Sequence, residues 1–301
     1  MKYGVTTDYV LGMQVVLADG TAVRLGGPRL KDVAGLSLTK LFVGSEGTLG
    51  VITEVTLRLL PAQHASSIVV ASFASVESAV DAVLGVTARL RPSMLEFMDS
   101  VAINAVEDTM RMDLDRGAAA MLVAGSDERG GAGAEDAAVM AAVFADNGAT
   151  EVFSTDDPDE GGRLSPPADS AFRRWRPRDR YCWKTSGALA GVGLIGHRDR
   201  ADRRPTRADD LGDRPRRRWQ HPPLLVYDPA DIAMAERAQL AYGEIMDLAV
   251  GLGGTITGEH GVGRLKRPWL AGYLGPDAMD LNRRIKQALD PLGILNPGSG
   301  I

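Results

Sequence analysis

The chain has 301 residues, 45% of them hydrophobic, and a mean hydropathy of -0.07. This composition is typical of a soluble globular protein with room for two domains, and no apolar run is long enough to span a membrane. A single cysteine excludes an internal disulfide and fits a reducing cytoplasm. The net charge of -5 argues against a general nucleic-acid-binding protein.

The N-terminal part predicts a β-hairpin followed by a glycine-rich turn. The hairpin strands are expected at residues 10–17 and 21–25, with Ala18-Asp19-Gly20 as the turn between them. Leu41-Phe42-Val43 then predicts a short buried strand, and the alternation of residues 51–57 predicts a strand with one apolar face.

The turn itself, residues 44–50, is the most informative stretch of the chain. Three glycines in seven residues let a backbone approach a ligand closely and expose its N–H groups. Ser45 and Thr48 suit the start of a short helical turn, where free N–H groups attract a phosphate. A glycine-rich turn without any ligand is the alternative, with about equal weight from the residues alone.

After Pro61 the pattern becomes one of alternating strands and helices with short links, which favours an α+β sandwich. The expected strands are residues 67–73, 119–124 and 150–154, and the expected helices are residues 76–90, 134–147 and one beginning near Ser100. Glu96 and Asp99 are interpreted as structural or solvated groups rather than catalytic ones.

Residues 163–218 differ in composition from the rest of the chain. They contain 15 of the 28 arginines and carry a charge of +9, so that the remainder carries -14. Three tryptophans and the only cysteine lie within or beside them, and no periodicity is visible. One interpretation is a nucleic-acid-binding insert or a disordered arm.

The C-terminal part predicts a strand at Leu224–Tyr227, helices at residues 232–252 and 281–289, and a second glycine-rich loop. In this loop, Gly258-Glu259-His260-Gly261-Val262-Gly263, a carboxylate lies beside an imidazole. The imidazole of such a pair can take a proton near neutral pH, whereas the alternative is a solvated loop. Three following cations could hold a substrate carboxylate but are interpreted as surface charges: Arg264, Lys266 and Arg267.

Several of these stretches together resemble a known family. GSEGTLGVITEVTLRLLP, PSMLEFMD, GEHGVG and DPLGILNPG are similar to motifs of the FAD-linked 2-hydroxyacid dehydrogenases, which include the glycolate oxidase D subunit, D-lactate dehydrogenase and D-2-hydroxyglutarate dehydrogenase. The resemblance implies an α+β fold: the distal part of a vanillyl-alcohol-oxidase-type FAD-binding domain in residues 1–62, then a ferredoxin-like cap domain in residues 63–301. It also implies that residues 163–222 are aberrant, either disordered or out of frame.

The resemblance further implies roles for individual residues. FAD would be bound by Gly44, Ser45, Glu46, Gly47, Gly50, Val51, Ile52 and Asn296. Glu259 would match a ligand of a divalent metal, zinc or manganese, in intact relatives, and His260 would match a catalytic base or substrate ligand. The family's other metal ligands are the histidines of GHAGDGN-(T/L)-HP, a string that this chain lacks.

Bases that encode Arg214–Pro223 can spell GHAGDGNTHP when read one position out of phase, so we interpret the aberrant segment as a translated frameshift. The first half of the flavin domain is expected to be missing. The predicted activity is oxidation of a D-lactate- or glycolate-type acid by hydride transfer to FAD. An inactive truncated fragment is the first alternative, and a nucleic-acid-binding protein is a less favoured one.

The expected partners are the small 2-hydroxyacid and an electron acceptor, with no nucleic acid and no integral membrane segment. A homodimer is a possible assembly. The expected location is the cytoplasm, including a peripheral position at the inner face of the membrane.

Overall fold

The computed structural model describes residues 2–62, 66–157, 159–161, 230–258 and 261–300, together with the backbone of residues 181–184 and 224–227. The prediction that residues 163–222 are disordered or out of frame therefore falls outside the described residues, apart from one strand at 181–184. Glu259 and His260 also lie outside them.

The first unit is a three-stranded antiparallel sheet in the order β2-β1-β3. Its strands are β1 (Val10–Val16), β2 (Ala22–Gly26) and β3 (Val51–Leu57). The hairpin between β1 and β2 turns at Gly20, whose φ is 84°, and Asp19 Oδ1 accepts a hydrogen bond from the N–H of Thr21 at 2.9 Å. These three predicted strands are confirmed.

The predicted strand at Leu41–Val43 is wrong, because Leu38–Phe42 forms a short helix, α1. Three apolar residues cannot distinguish a strand from a buried helical turn by their periodicity. Here the helical turn places the Phe42 ring in the core below β1. The buried residues of this core are Met13, Val15, Phe42 and Leu49.

Strand β3 forms one edge of the sheet, and its apolar face is only partly covered by the described residues. A bulge in the β1–β3 pairing places Ile52 opposite Val15 and Val55 opposite Met13, so both side chains point to the core side. They nevertheless remain 39% and 49% exposed. The expected half-buried strand is thus an edge strand with accessible apolar side chains.

The second unit is a four-stranded antiparallel sheet in the order β5-β6-β4-β7, with two helices packed on one face and a third on the opposite face. Its elements in chain order are β4 (Ser67–Phe73), α2 (Val76–Arg89), β5 (Met94–Asp99), α3 (Ser100–Met110), β6 (Ala120–Ser126), α4 (Gly131–Asp146) and β7 (Ala149–Thr155). Without the additional helix α3, this is the βαββαβ order of a ferredoxin-like fold. The predicted fold is therefore confirmed.

Local sequence explains where these helices begin and how they pack. Ser75 caps α2 by accepting from the N–H of Ser78 at 3.2 Å, and Asp99 caps α3 by accepting from the N–H of Ala102 at 2.8 Å. The Asp99 cap agrees with the structural role expected for that carboxylate. Helix α4 packs against β4 through an edge-to-face contact between the rings of Phe144 and Phe73, with centroids 6.1 Å apart.

The C-terminal part contains three helices, α5 (Ile232–Gly251), α6 (Arg267–Leu274) and α7 (Pro276–Leu289). A two-stranded ribbon pairs β8 (Tyr181–Lys184) with β9 (Leu224–Tyr227). Strand β9 and helix α5 were predicted, whereas α6 was not, and α7 begins five residues before its predicted start. Among the described residues, no helix combines the length and apolar character needed to cross a membrane.

Candidate functional site

The glycine-rich turn after α1 contains three left-handed residues. Gly44, Glu46 and Gly47 have φ angles of 85°, 54° and 72°. The N–H of Ser45 donates back to the Phe42 carbonyl at 3.1 Å, so the turn lies at the C-terminal end of a helix. The predicted helix start at Ser45 and Thr48 is therefore wrong, because these residues follow a helix instead of beginning one.

The turn nevertheless presents hydrogen-bond donors. Within the part of the chain that the structure describes, the N–H groups of Gly44, Glu46 and Gly47 donate no hydrogen bond. The Oγ of Ser45 is buried there without a hydrogen-bond partner. Successive N–H groups in left-handed turns form concavities that bind anions, and a hydroxyl adds a further donor. This donor set fits a phosphate group.

The Glu46 side chain joins this turn to the loop that follows Glu259 and His260 in the sequence. Its Oε1 accepts a hydrogen bond from the N–H of Val262 at 2.5 Å, and its Oε2 accepts one from the N–H of Gly263 at 2.7 Å. We call this pair of bonds the Glu46 clamp. A Cβ atom at Gly261, whose φ is 75°, would lie 2.4 Å from Glu46 Oε1, so the clamp requires glycine there.

The C-terminal segment contacts both the glycine-rich turn and the GEHGVG loop. Asn296 Nδ2 donates to the Glu46 carbonyl at 2.5 Å, and the N–H of Gly300 donates to the Gly263 carbonyl at 3.1 Å. Three segments that are far apart in the sequence therefore meet at Glu46: the glycine-rich turn, the GEHGVG loop and the C-terminal signature.

A buried ion pair fixes the same C-terminal segment. Lys286 Nζ pairs with the Asp290 carboxylate and donates to the carbonyl of Thr48 at 2.7 Å. Burial alone would raise the pKa of Asp290, but hydrogen bonds from Lys286 and from the N–H groups of Leu295 and Ile294 outweigh it and lower the pKa. Sequence analysis missed this pair, although its i, i+4 spacing at the end of α7 was a usable signal.

The cations after the loop differ in environment. Arg264 and Arg267 are exposed, as predicted, and line an open cavity of about 650 Å³ together with Pro268, Pro297 and Gly298. Lys266 is only 3% exposed, so its interpretation as a surface charge is wrong. Burial lowers the pKa of its ammonium group, and the neighbouring Glu46 carboxylate opposes that shift. Lys266 is the N-cap residue of α6.

The remaining predicted FAD contacts lie on or beside β3. A Cβ at Gly50 would lie 2.5 Å from Val15 Cγ1 and 3.1 Å from Phe42 Cε1, so core packing is sufficient to explain glycine at this position. Val51 and Ile52 begin β3 with exposed side chains. The FAD contacts assigned to these three residues stay predictions.

The catalytic role of His260 and the metal-ligand role of Glu259 also stay predictions, since both residues lie outside the described part of the chain. In the ranges that the structure does describe, no group of three or more His, Cys, Asp or Glu side chains could hold a metal ion. The structure brings together Gly44, Ser45, Glu46, Gly47 and Asn296 with the backbone directly following the Glu259–His260 pair.

Comparison with solved structures defines the class of fold. The chain is similar to p-cresol methylhydroxylase with substrate bound, with a TM-score of 0.66, 16% identity, and coverage of 97% of this chain and 64% of that one. It is also similar to 4-ethylphenol oxidase from Gulosibacter chungangensis, with a TM-score of 0.61, 19% identity, and coverage of 97% and 65%. At these identities the likeness concerns the fold alone, and it supports the vanillyl-alcohol-oxidase-type fold that the motif resemblance predicted.

Sequence comparison gives the family. The model for the C-terminal domain of FAD linked oxidases matches residues 62–187 and 220–299. The chain belongs to this family of FAD-linked oxidoreductases, as the motif resemblance predicted.

Two groups of curated relatives carry names that agree with this family. The chain is 33% identical to glycolate oxidase subunit GlcD of Bacillus subtilis, with coverage of 99% of this chain and 64% of that protein. It is 35% identical to the corresponding subunit of Escherichia coli K12, with coverage of 100% and 61%. It is 33% identical to D-lactate dehydrogenase of Archaeoglobus fulgidus, with coverage of 99% and 66%. The chain thus spans less than two thirds of the length of these relatives.

Proposed function

We propose that the chain acts in an FAD-dependent oxidation of a 2-hydroxyacid of the D-lactate or glycolate type. The observation that carries this proposal is the Glu46 clamp, which joins the glycine-rich turn to the loop containing Glu259 and His260. The names of the relatives support the substrate class. The unpartnered donors of the turn support the cofactor, because they fit one of its phosphates.

Each group in the proposal has a distinct chemical task. The N–H groups of the turn and the Ser45 hydroxyl would hold a phosphate of FAD, which when bound supplies the acceptor for the hydride from substrate C2. His260 would take the proton of the substrate hydroxyl, leaving a 2-ketoacid. Arg264 and Arg267, at the open cavity, would pair with the substrate carboxylate.

The test uses the full chain with added FAD. Quenching of flavin fluorescence gives the dissociation constant, and the loss of flavin absorbance under anaerobic conditions then reports reduction by D-lactate or glycolate. L-lactate is the matched control because it differs only in configuration at C2. We expect FAD to bind and one of the two substrates to bleach it. A chain that binds no FAD, or whose flavin none of these acids reduces, would contradict the proposal and favour the inactive-fragment alternative.

Ser45→Ala tests the cofactor site separately. The hydroxyl has no hydrogen-bond partner among the described residues, so removing it should leave the thermal unfolding midpoint of the FAD-free protein unchanged. A hydrogen bond to a charged phosphate is worth about 1.5–3 kcal/mol, so the dissociation constant for FAD should rise at least about tenfold. An unchanged constant would remove Ser45 from the site.

The frameshift interpretation stays a separate proposal about residues 163–222. Between its two matched ranges, the family model leaves out residues 188–219. This stretch lies inside the segment 163–222 but is shorter than it, because residues 163–187 match the family. Resequencing the gene and identifying peptides of the segment by mass spectrometry decide the question. Salt-dependent RNA binding that is lost on deleting residues 163–218 would instead support the nucleic-acid-binding alternative.

A further inference from the structure

We infer that Glu46 is a positioning residue whose carboxylate fixes the catalytic loop and makes no contact with FAD. The inference refines the predicted role of Glu46 as a cofactor-binding residue, and its catalytic consequence rests on the proposed function. The structural part, the clamp itself, can be tested on the protein without FAD.

Both carboxylate oxygens of Glu46 are already used within the protein. They accept from the successive N–H groups of Val262 and Gly263 at 2.5 and 2.7 Å, and hydrogen bonds to an ionised carboxylate are shorter and stronger than those between neutral groups. Gly261 and Gly263 have positive φ angles of 75° and 54°, so their loop forms the kind of concavity that binds anions. The anion in that concavity is the Glu46 side chain.

Electrostatics argue for the same assignment. A carboxylate facing the pyrophosphate of FAD would place like charges together, whereas the Glu46 carboxylate is hydrogen-bonded to the N–H groups of Val262 and Gly263. The charge lies near the buried Lys266 ammonium, whose protonated form it stabilises against burial. The backbone of the turn is thus left for a phosphate, and the side chain serves the loop.

The backbone geometry also indicates a specific requirement for this side chain. Glu46 has a left-handed φ of 54°, a conformation that glycine adopts without strain and other residues seldom adopt. Asn296 Nδ2 holds the Glu46 peptide in place through its carbonyl at 2.5 Å. Because glycine would satisfy the backbone, we attribute the presence of glutamate to the clamp.

The loop that the clamp fixes directly follows Glu259 and His260 in the sequence. Misplacing a reacting group by about 1 Å can reduce a rate by about 100-fold. Loss of the clamp is therefore expected to slow hydride transfer without changing the contacts that bind FAD.

The experiment compares Glu46→Gln and Glu46→Gly in the full chain, with Glu54→Gln as the matched control. Glutamine presents an N–H donor to one of the two loop N–H groups, and glycine removes the side chain while keeping the left-handed backbone. Glu54 is an exposed carboxylate on β3 that pairs with Arg24 and lies outside the clamp. Hydrogen–deuterium exchange of a peptide spanning residues 261–265 is measured first, without FAD.

We expect the two Glu46 variants to exchange at least about 10-fold faster in this peptide, with peptides of α2 and β4 unchanged, and Glu54→Gln to match the parent. With FAD and substrate, we expect the limiting rate of flavin reduction to fall about 100-fold, while the FAD dissociation constant changes less than about threefold. Unchanged exchange overturns the clamp. A rise in the FAD dissociation constant as large as the loss in rate overturns the positioning role.

The two proposals fail in different ways. If the parent protein binds no FAD or is not reduced by any hydroxyacid, the proposed function fails, and the exchange comparison still decides whether Glu46 holds the loop. If the parent is reduced but Glu46→Gln exchanges faster and reacts at the parental rate, the positioning role fails and the proposed function stands.

Discussion

Substituting Gly50 tests most directly whether glycine is needed at this position of the turn for core packing or for ligand binding. In Gly50→Ala the new Cβ would lie 2.5 Å from Val15 Cγ1, 3.1 Å from Phe42 Cε1 and 3.2 Å from the Val16 carbonyl oxygen. Val15 and Phe42 are buried, and the branched Val15 side chain has little rotameric freedom. One excess methyl group in a packed core costs about 1–3 kcal/mol, and with two stiff neighbours we expect about 2–3 kcal/mol.

A double-mutant cycle with Val15→Ala makes this prediction quantitative. Val15→Ala alone removes two methyl groups from the core and should cost about 2 kcal/mol. In the double variant the methyl group added by Gly50→Ala occupies the vacated space, so the total cost should be about 1–2 kcal/mol less than the sum of the single costs. Urea unfolding followed by far-ultraviolet circular dichroism measures all four proteins, with the m-value checking that the unfolding reaction is the same.

Gly272→Ala is the control for the glycine substitution. A Cβ at Gly272 meets no atom within 4 Å, and the residue is exposed within α6, so this variant should gain about 0.5–1 kcal/mol from the higher helix propensity of alanine. Additive costs in the cycle, or a Gly50→Ala protein of parental stability with weaker FAD binding, would refute the packing argument and make Gly50 a cofactor contact.

Three further predictions concern the same region and its supporting core. Gly261→Ala places a Cβ 2.4 Å from Glu46 Oε1, so the 261–265 peptide should exchange faster, as in Glu46→Gln, whereas Gly131→Ala, with open space around its Cβ, should leave that peptide at the parental rate. The pKa of Asp290 is lowered in the folded state, so its stabilising contribution is present above the ordinary carboxyl pKa of about 4 and is lost as the pH falls through the lowered value. Asp290→Asn should flatten the acid side of a plot of thermal midpoint against pH, and an unchanged slope would contradict this. Burial raises the pKa of Tyr242 to about 12, so its contribution is present below about pH 10 and is lost as the pH rises towards the folded value. Tyr242→Phe should reduce the alkaline loss of stability, and equal alkaline curves for the two proteins would count against burial as the cause.

Much of the fold could be predicted because the relevant information is local. Three of the four strands of residues 67–155, and their helices, could be predicted from local patterns, whereas the strand Met94–Asp99 was missed and the ferredoxin-like order came from the motif resemblance. Helix α6 was not predicted because its eight residues are too few to establish a helical period. The segment 41–43 was assigned incorrectly because a run of three apolar residues fits both a buried strand and a helical turn.

The site could be predicted only in part because its contacts join distant positions. Lys266 has the local sequence of a surface cation, and its burial follows from the packing of the loop and α6, which no local pattern encodes. The Glu46 clamp spans 216 residues, and the Gly50 contact with Val15 crosses from the turn to β1. Motif resemblance predicted Glu46 as a cofactor-binding residue, but only the coordinates show that its carboxylate accepts from the N–H groups of Val262 and Gly263.

The three glycines of the turn look equivalent in the sequence, but glycine is needed at each position for a different physical reason: backbone conformation at Gly44 and Gly47, and core packing at Gly50. Gly44 and Gly47 have positive φ angles, and a Cβ would meet no described atom within 4 Å at Gly44 and only Asn296, at 3.9 Å, at Gly47. Gly50 has no such φ and is closely surrounded by core atoms. Open space next to left-handed backbone is what a closely approaching ligand needs, whereas close packing leaves no room for one. We therefore expect Gly44 and Gly47 to face the phosphate of FAD and Gly50 to hold the turn on β1.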